Sequence, residues 1–253
     1  MISISYNFSS NDFEFIEQCI REAKLISNDI HFSCVSKFFD GEEENKELIN
    51  KAINICNSNG VSFTILEYDE TLKNKITNKS SFFRYWHNIT RLANTEKCIN
   101  DYVLYLDGDE ILDGERFSKW LESINLTDNN SYVFDAFWYF RNKKYQAKTW
   151  EPAGLLVNKK TLSTEDLMNS GERWGMIKHP YARQVRSIDG LPMVHHYSWA
   201  KGNSEKECQE MLLKKVKSWG HTSDRDWESL IKEEFSREFN GKDFVHGYSY
   251  NTL

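Results

Sequence analysis

The sequence predicts an α/β fold, a mostly parallel sheet flanked by helices, on three observations. A short apolar run followed by an amphipathic helical stretch recurs three times before Asp107. The next run, Tyr102-Val103-Leu104-Tyr105-Leu106, is apolar on both faces, as a strand covered by helices on each side must be. After Asp113-Gly114 the regularity fades, and Pro152, Pro180 and Pro192 all fall in that later half, as irregular strands and loops built around a site would place them.

Taken in order, Ile2 to Tyr6 alternates as a strand, and Asn11 and Glu14 have capping-box spacing ahead of Phe13, Ile16, Cys19, Ile20 and Ala23 at helical period. Ile30 to Val35 is a second strand and Phe38-Phe39-Asp40-Gly41 a loop. Leu48, Ile49, Ala52, Ile53 and Cys56 form the stripe of a second helix, stopped at Asn59-Gly60. Val61 to Leu66 gives a third strand and Thr71 to Ser80 a polar loop, after which Phe82, Trp86, Ile89 and Ala93 share one face of a third helix. Right-handed crossovers between such units make a doubly wound, nucleotide-binding half. Beyond it, Phe117 to Ile124 reads as a short helix. Tyr132 to Phe140 and Trp150 to Val157 read as strands, joined by a connection that begins with the basic stretch Arg141 to Lys144. Two polar helices, about Ser204 to Trp219 and Asp226 to Phe239, end the pattern.

Composition narrows the function. With 253 residues, 40% hydrophobic and 14% aromatic, the chain can bury a substantial core. Its 32 Lys and Arg against 38 Asp and Glu leave a net charge of −6, which argues against a general nucleic-acid binder. No run approaches the ~20 apolar residues of a membrane helix, and Met1-Ile2-Ser3-Ile4-Ser5 lacks the features of a signal peptide, so a cytoplasmic protein is expected. The five cysteines are widely spaced with no C-x-x-C pair and read as reduced core residues.

The densest chemistry is Asp107-Gly108-Asp109-Glu110, directly after the doubly apolar strand. Ligands of open α/β sheets bind outside the carboxyl ends of strands, and Gly108 would let one approach the backbone. Carboxylates this close repel one another unless a cation or proton intervenes, and hard oxygen ligands favour Mg²⁺ or Mn²⁺. An acidic helix start is the alternative reading. Of the adjacent His195 and His196, strand alternation lets only one face such a site. On the third helix Arg84, Asn88 and Arg91 share a face at i, i+4 and i+7, with Arg84 near the carboxyl edge of the sheet and Arg91 two turns away from it. Lys214, Lys215 and Lys217 follow Glu205, Glu207 and Glu210 on one segment and read as an ion-paired, solvated helix.

In the order of these features the chain resembles a glycosyltransferase of the GT-A fold, particularly the family-two type, over about residues 2 to 200. Ile2-Ser3-Ile4-Ser5-Tyr6-Asn7 is similar to the first strand and its Tyr-Asn ending. Val35 to Gly41 resembles the second-strand region ending in Asp-Gly, and Arg84 to Asn88 the basic-plus-Asn helix before the D-x-D strand. His195-His196-Tyr197-Ser198 resembles the late His-Tyr-Ser motif of lipopolysaccharide-type transferases. The resemblance implies one GT-A domain over 1–253, with a nucleotide-sugar half (1–113), an irregular acceptor-side half (114–202) and a C-terminal helical extension (203–253). It implies Asp109 as the direct ligand of Mn²⁺ or Mg²⁺, Asp107 as a ribose or water-mediated contact, and His196 as a third ligand. Asn7, Asp40, Arg84 and Asn88 join the donor pocket. Glu172 takes the position of the base for an inverting transfer, with Asp135 and Glu151 as rivals, and Trp150 and Trp174 flank it as a sugar-stacking pair.

The implied partners are a nucleotide-diphosphate sugar and a glycan or other hydroxyl acceptor, with no nucleic acid. A nucleotidyltransferase normally begins with a Gly-rich, basic phosphate loop, and Asn7 to Asp12 has neither feature. A binding module of the same fold without turnover is the reading from another class. On the repulsion argument, Asp109→Asn is expected to cost little stability.

Overall fold

Strand β1 (Ile2–Asn7) is buried at every position, and its alternation divides the molecule in two. Ile2, Ile4 and Tyr6 join the main apolar core, whereas Ser3, Ser5 and Asn7 face the other way and are buried as polar groups. The computed structural model describes residues 1–76, 79–126, 131–168, 172–177, 183–218 and 225–253. After β1 a 3₁₀ turn (Ser10–Phe15), capped by Ser9 and not by Asn11, leads into α1 (Ile16–Lys24). Then follow β2 (Ile30–Val35), α2 (Lys46–Ser58), β3 (Ser62–Leu66), α3 (Lys79–Lys97) and β4 (Tyr102–Asp107). The sequence pattern anticipates each of these to within a few residues.

Much of the polar side of helix α3 turns inward. Asn88, Thr90, Arg91 and Asn94 are buried against the serine face of the sheet. The Asn94 amide donates to Ser5 Oγ and Tyr6 O, each at 3.1 Å, and Ser33 Oγ donates to Thr90 O at 3.0 Å. Buried polar groups are tolerated where partners meet them: Ser5 meets Asn94, Ser33 meets the Thr90 carbonyl, and Asp107 meets Arg91.

The second half contains β5 (Glu110–Leu112), α4 (Gly114–Ser123), β6 (Tyr132–Phe140), β7 (Asn142–Asn158), α5 (Thr164–Leu167), β8 (Arg183–Val185), β9 (Val194–Trp199), α6 (Glu205–Ser218), α7 (Trp227–Phe235) and β10 (Tyr250–Thr252). One sheet runs β3-β2-β1-β4-β7-β6-β9-β5, with β10 on β7 and β8 on β6. Strands β3, β2, β1 and β4 are mutually parallel, and β7 then enters antiparallel to β4. β5 and β10 carry no sequence signal because strands of three residues are too short to show a period.

The expected connection at Arg141 is a tight hairpin: only Arg141, at φ 58°, separates β6 from β7. Its buried guanidinium donates to Glu234 O at 3.1 Å and Arg237 O at 3.0 Å, and pairs with Glu205. That residue clamps α6 and α7 onto the sheet, and so fixes what α6 delivers to the site. All five cysteines are free and buried, and no helix among the described residues is long and apolar enough to cross a membrane.

Candidate active site

A cleft of about 650 Å³ opens at the carboxyl ends of β1, β2 and β4. Asn7, Lys37 and Asp107 line it where those strands end, Arg84 and His87 from α3, and Glu151, His196, Lys201 and Lys215 from the second half. At its floor β4 turns into β5 through Asp107, Gly108 and Asp109. Gly108 N–H donates to Asn7 O at 2.8 Å, and a Cβ at 108 would lie 2.9 Å from Asp12 Cβ. The close approach that demands glycine here is thus to Asp12, a neighbour in the fold.

The carboxylates of this turn are each met by cations. Arg91 Nη2 lies 3.0 Å and Arg173 Nη1 3.7 Å from Asp107. Arg173 also grips the fully buried Glu110 with both nitrogens, one at 2.6 Å. Lys201 Nζ and Lys215 Nζ share Asp109 Oδ2 at 2.9 and 3.3 Å, while His196 Nε2 stands 3.5 Å from Oδ1. Lys201 pairs with Asp12 as well. Burial alone would raise the pKa of Asp107, but Arg173 and Arg91 outweigh it and hold the group well below the carboxylate range. Burial is likewise overcome at Asp109 by Lys201, Lys215 and His196. At Asp12 burial, aided by Asp109, prevails over Lys201 and lifts the pKa; at Lys215 burial lowers it.

The other candidates from the sequence divide by location. Asn7 lines the cleft, donating to His87 Nδ1 at 2.8 Å and accepting from Thr90 Oγ1 at 3.0 Å. Arg84 also lines it, whereas Asn88 is buried under α3 outside that lining. Arg91, expected two turns from the carboxyl edge, is the α3 cation that reaches Asp107. Asp40 lies outside the lining and accepts from Glu42 N–H at 3.1 Å within a turn completed by Gly41 at φ 97°. Strand alternation does separate the histidines: His196 faces the cleft, and His195 turns away to Tyr139 Oη at 2.7 Å.

On the acceptor side, Glu151 lines the cleft and accepts from the Tyr248 hydroxyl. Asp135 lies outside it, held by Arg186 and Gln184. Glu172 begins the short turn Glu172–Met176, and its side chain lies outside the described residues. Trp174 is partly exposed in the lining, while Trp150 lies outside it beneath the Arg186 guanidinium.

Among the described residues, Asp107, Asp109 and His196 do not bring three ligand atoms together. The group that does is Asp29, His31 and Cys98, within 4.8 Å of one another at the amino ends of the parallel strands. In that group Asp29 Oδ2 already accepts from Ser3 Oγ and from Ile99 N–H at 2.8 Å.

Sequence reasoning missed Lys201, Lys215, Asp12, Arg91 and Arg173 as parts of this site. One signal was available: Cys208, Leu212 and Lys215 stand at i, i+4 and i+7, so Lys215 lies on the buried face of α6 and not on its solvated one. Lys201 and Asp12 carry no comparable signal, because only the fold brings residues 189 positions apart into contact.

No protein-family model matches the sequence, and no curated protein matches it. Among solved structures the chain is similar to the apo-form glycosyltransferase GlyE of Streptococcus pneumoniae TIGR4, at 14% identity and TM-score 0.42, over 93% of this chain and 64% of that one. It is also similar to S. aureus TarS 1-349 (9%, TM-score 0.41, 93% and 71%) and to the inositol-1-phosphate CTP transferase of T. maritima (8%, TM-score 0.40, 83% and 95%). This chain therefore spans just under two thirds of the GlyE chain. Likenesses this distant add no argument of their own. The parallel β3-β2-β1-β4 order, with the antiparallel β7 beside it and the Asp-x-Asp turn at the carboxyl end of β4, makes this an α/β fold with a mostly parallel, Rossmann-like sheet.

Proposed function

We propose that the protein is a glycosyltransferase, moving a sugar from a nucleotide-diphosphate donor to a hydroxyl acceptor. The supporting observation is the cleft: it sits outside the carboxyl ends of parallel strands, where open α/β sheets take nucleotides, and its lining brings Arg173, Lys201 and Lys215 together with Glu151 and Trp174. Breaking the glycosidic bond leaves the electron pair on the diphosphate oxygen. Fixed cations aimed at that oxygen stabilise the transition state more than the ground state. Asn7, Arg84 and Asp107 form the donor wall in this reading. Asn88 and Asp40 are left out of it because neither lines the cleft.

The Mn²⁺ or Mg²⁺ implied by the resemblance does not fit the described residues. Asp107 faces two guanidinium groups, one oxygen of Asp109 faces two ammonium groups, and Glu110, 3.8 Å from His196, has both oxygens held by Arg173, which leaves Asp109 Oδ1 and His196 as the pair of described ligand atoms facing each other. No step is routed through a metal.

The acceptor hydroxyl must lose its proton as it attacks, and a carboxylate within hydrogen-bond reach serves as base. Glu151, a described carboxylate of the cleft lining that accepts from the Tyr248 hydroxyl, takes that role in this reading, and Glu172 on the turn Glu172–Met176 is the alternative. The test supplies a panel of nucleotide sugars with hydroxyl acceptors and quantifies products. Release of nucleoside diphosphate upholds the proposal. Pyrophosphate release from a nucleoside triphosphate and a sugar phosphate would replace it with nucleotidyl transfer, and donor binding with neither product would make the protein a binding module. Glu151→Gln is expected to lower turnover by roughly 10²–10⁴-fold with donor affinity kept. Side-by-side rates for Glu172→Gln and Asp135→Asn reassign the role if either collapses in its place.

A further inference from the structure

We infer that Lys201 and Lys215 form an ammonium grip for the donor's diphosphate, supplying at Asp109 the positive charge that a divalent ion supplies in metal-dependent sites. The identity of the ligand rests on the transfer reading above; the grip itself rests on geometry. Both Nζ atoms converge on the same oxygen of Asp109, the carboxylate expected to hold a metal, and both residues line the cleft. Of the arginines around the Asp107–Asp109 turn, Arg91 is committed to Asp107, and Arg173 to Asp107 and Glu110.

The two lysines divide the work. Lys201 is 2% exposed and bridges Asp12 and Asp109, so it sets the charge of the floor. Lys215 is 18% exposed, and its ammonium also donates to Ser198 O at 3.2 Å and to the Ser198 hydroxyl. A lysine stem is flexible and its three N–H donors rotate freely, so the ammonium can exchange the serine hydroxyl for a phosphate oxygen without leaving Asp109. Lys215 is carried by α6, which the buried Arg141 holds to the sheet through Glu205. The C-terminal helices therefore complete the donor site and do not merely extend the domain.

The test is calorimetric binding of inorganic pyrophosphate, and separately of UDP and GDP, to the full chain in EDTA. The parent protein is expected to bind without added metal. Lys215→Met should weaken pyrophosphate binding about tenfold or more, as loss of a charge-assisted contact implies, while Lys215→Arg stays within about threefold. Equal affinity for the parent and Lys215→Met in EDTA overturns the grip, as does binding that appears only with Mn²⁺. Amine-reactive labelling of the unmutated protein gives a reading free of folding effects. Pyrophosphate should suppress modification of Lys215 several-fold, and unchanged labelling also overturns the grip. The two proposals fail separately: nucleoside-diphosphate release indifferent to Lys215 removes the grip alone, and Lys215-dependent binding without sugar transfer removes the transfer reading alone.

Discussion

At the carboxyl end of the parallel strands His196 Nε2 stands 3.5 Å from Asp109 Oδ1, and at their amino end His31 Nε2 stands 2.7 Å from Asp29 Oδ1. The second cluster has the more compact set of metal-type ligands, since Cys98 joins it. Yet its polar atoms are taken up locally: Ser3, Ile99 and Asn100 donate to Asp29, and His31 Nδ1 meets Ser62 Oγ at 2.6 Å. It is a clasp that ties β1, β2 and β3 to the segment entering β4. The first cluster opens on a cleft and is balanced by whole charges, Lys201 and Lys215, carried in by the second half of the chain. Ligand-type residues in one place thus identify neither a metal nor a site; what decides is whether their charges are met by neutral donors, by fixed cations or by a cavity.

The comparison is broken most directly at Asp109. The sequence argument of carboxylate repulsion expects Asp109→Asn to be nearly neutral. The structure predicts instead a loss of about 3–5 kcal/mol, because the buried Lys201 and the half-buried Lys215 lose their common partner. Urea unfolding measures it, and a loss under about 1 kcal/mol would show that water or Asp12 re-pairs both lysines.

A second effect separates the ends by pH. Glu44, in the cleft lining, has its pKa pushed up to about 7 by burial, against the hydrogen bonds it accepts from Ser10. The folded protein holds that proton to about pH 7, whereas the unfolded chain releases it near pH 4.5. Stability should therefore fall as pH rises between those values, by about 3 kcal/mol at most. Glu44→Gln should flatten that slope in melts taken from pH 4.5 to 8; an unchanged slope would assign it to other groups.

At the clasp the expected effect is smallest. Burial opposes ionisation of Asp29, but hydrogen bonds from Ser3, Ile99 N–H and His31 prevail and hold its pKa below the ordinary value. Its contribution is present above the unfolded pKa, near 4, and is lost as pH falls through the folded one. Asp29→Ala should cost about 2 kcal/mol at pH 7 and progressively less below pH 4. Added Mn²⁺ or Zn²⁺ should leave the parent Tm unchanged if the cluster is a clasp, and a metal-dependent rise of several degrees that Asp29→Ala abolishes would make it a metal site.

How much of this was legible follows from range. The alternation of Ile2 to Tyr6, the stripe of Leu48 to Cys56 and the doubly apolar run of Tyr102 to Leu106 determine strands, helices and the parallel half, because burial on a regular element imposes a period that neighbours along the chain reveal. The same local reading placed Asp107-Gly108-Asp109 at a strand end and split His195 from His196. Tertiary structure alone decided what those groups meet. Whether Arg91 points to solvent or to Asp107, whether Arg141 starts a loop or clamps two helices, and whether Lys215 is a surface charge or a partner of Asp109 depend on contacts between segments far apart in the chain. A buried charge is stable only beside its counter-charge, so the sequence by itself determined where carboxylates would gather, and the fold decided which cations came to them.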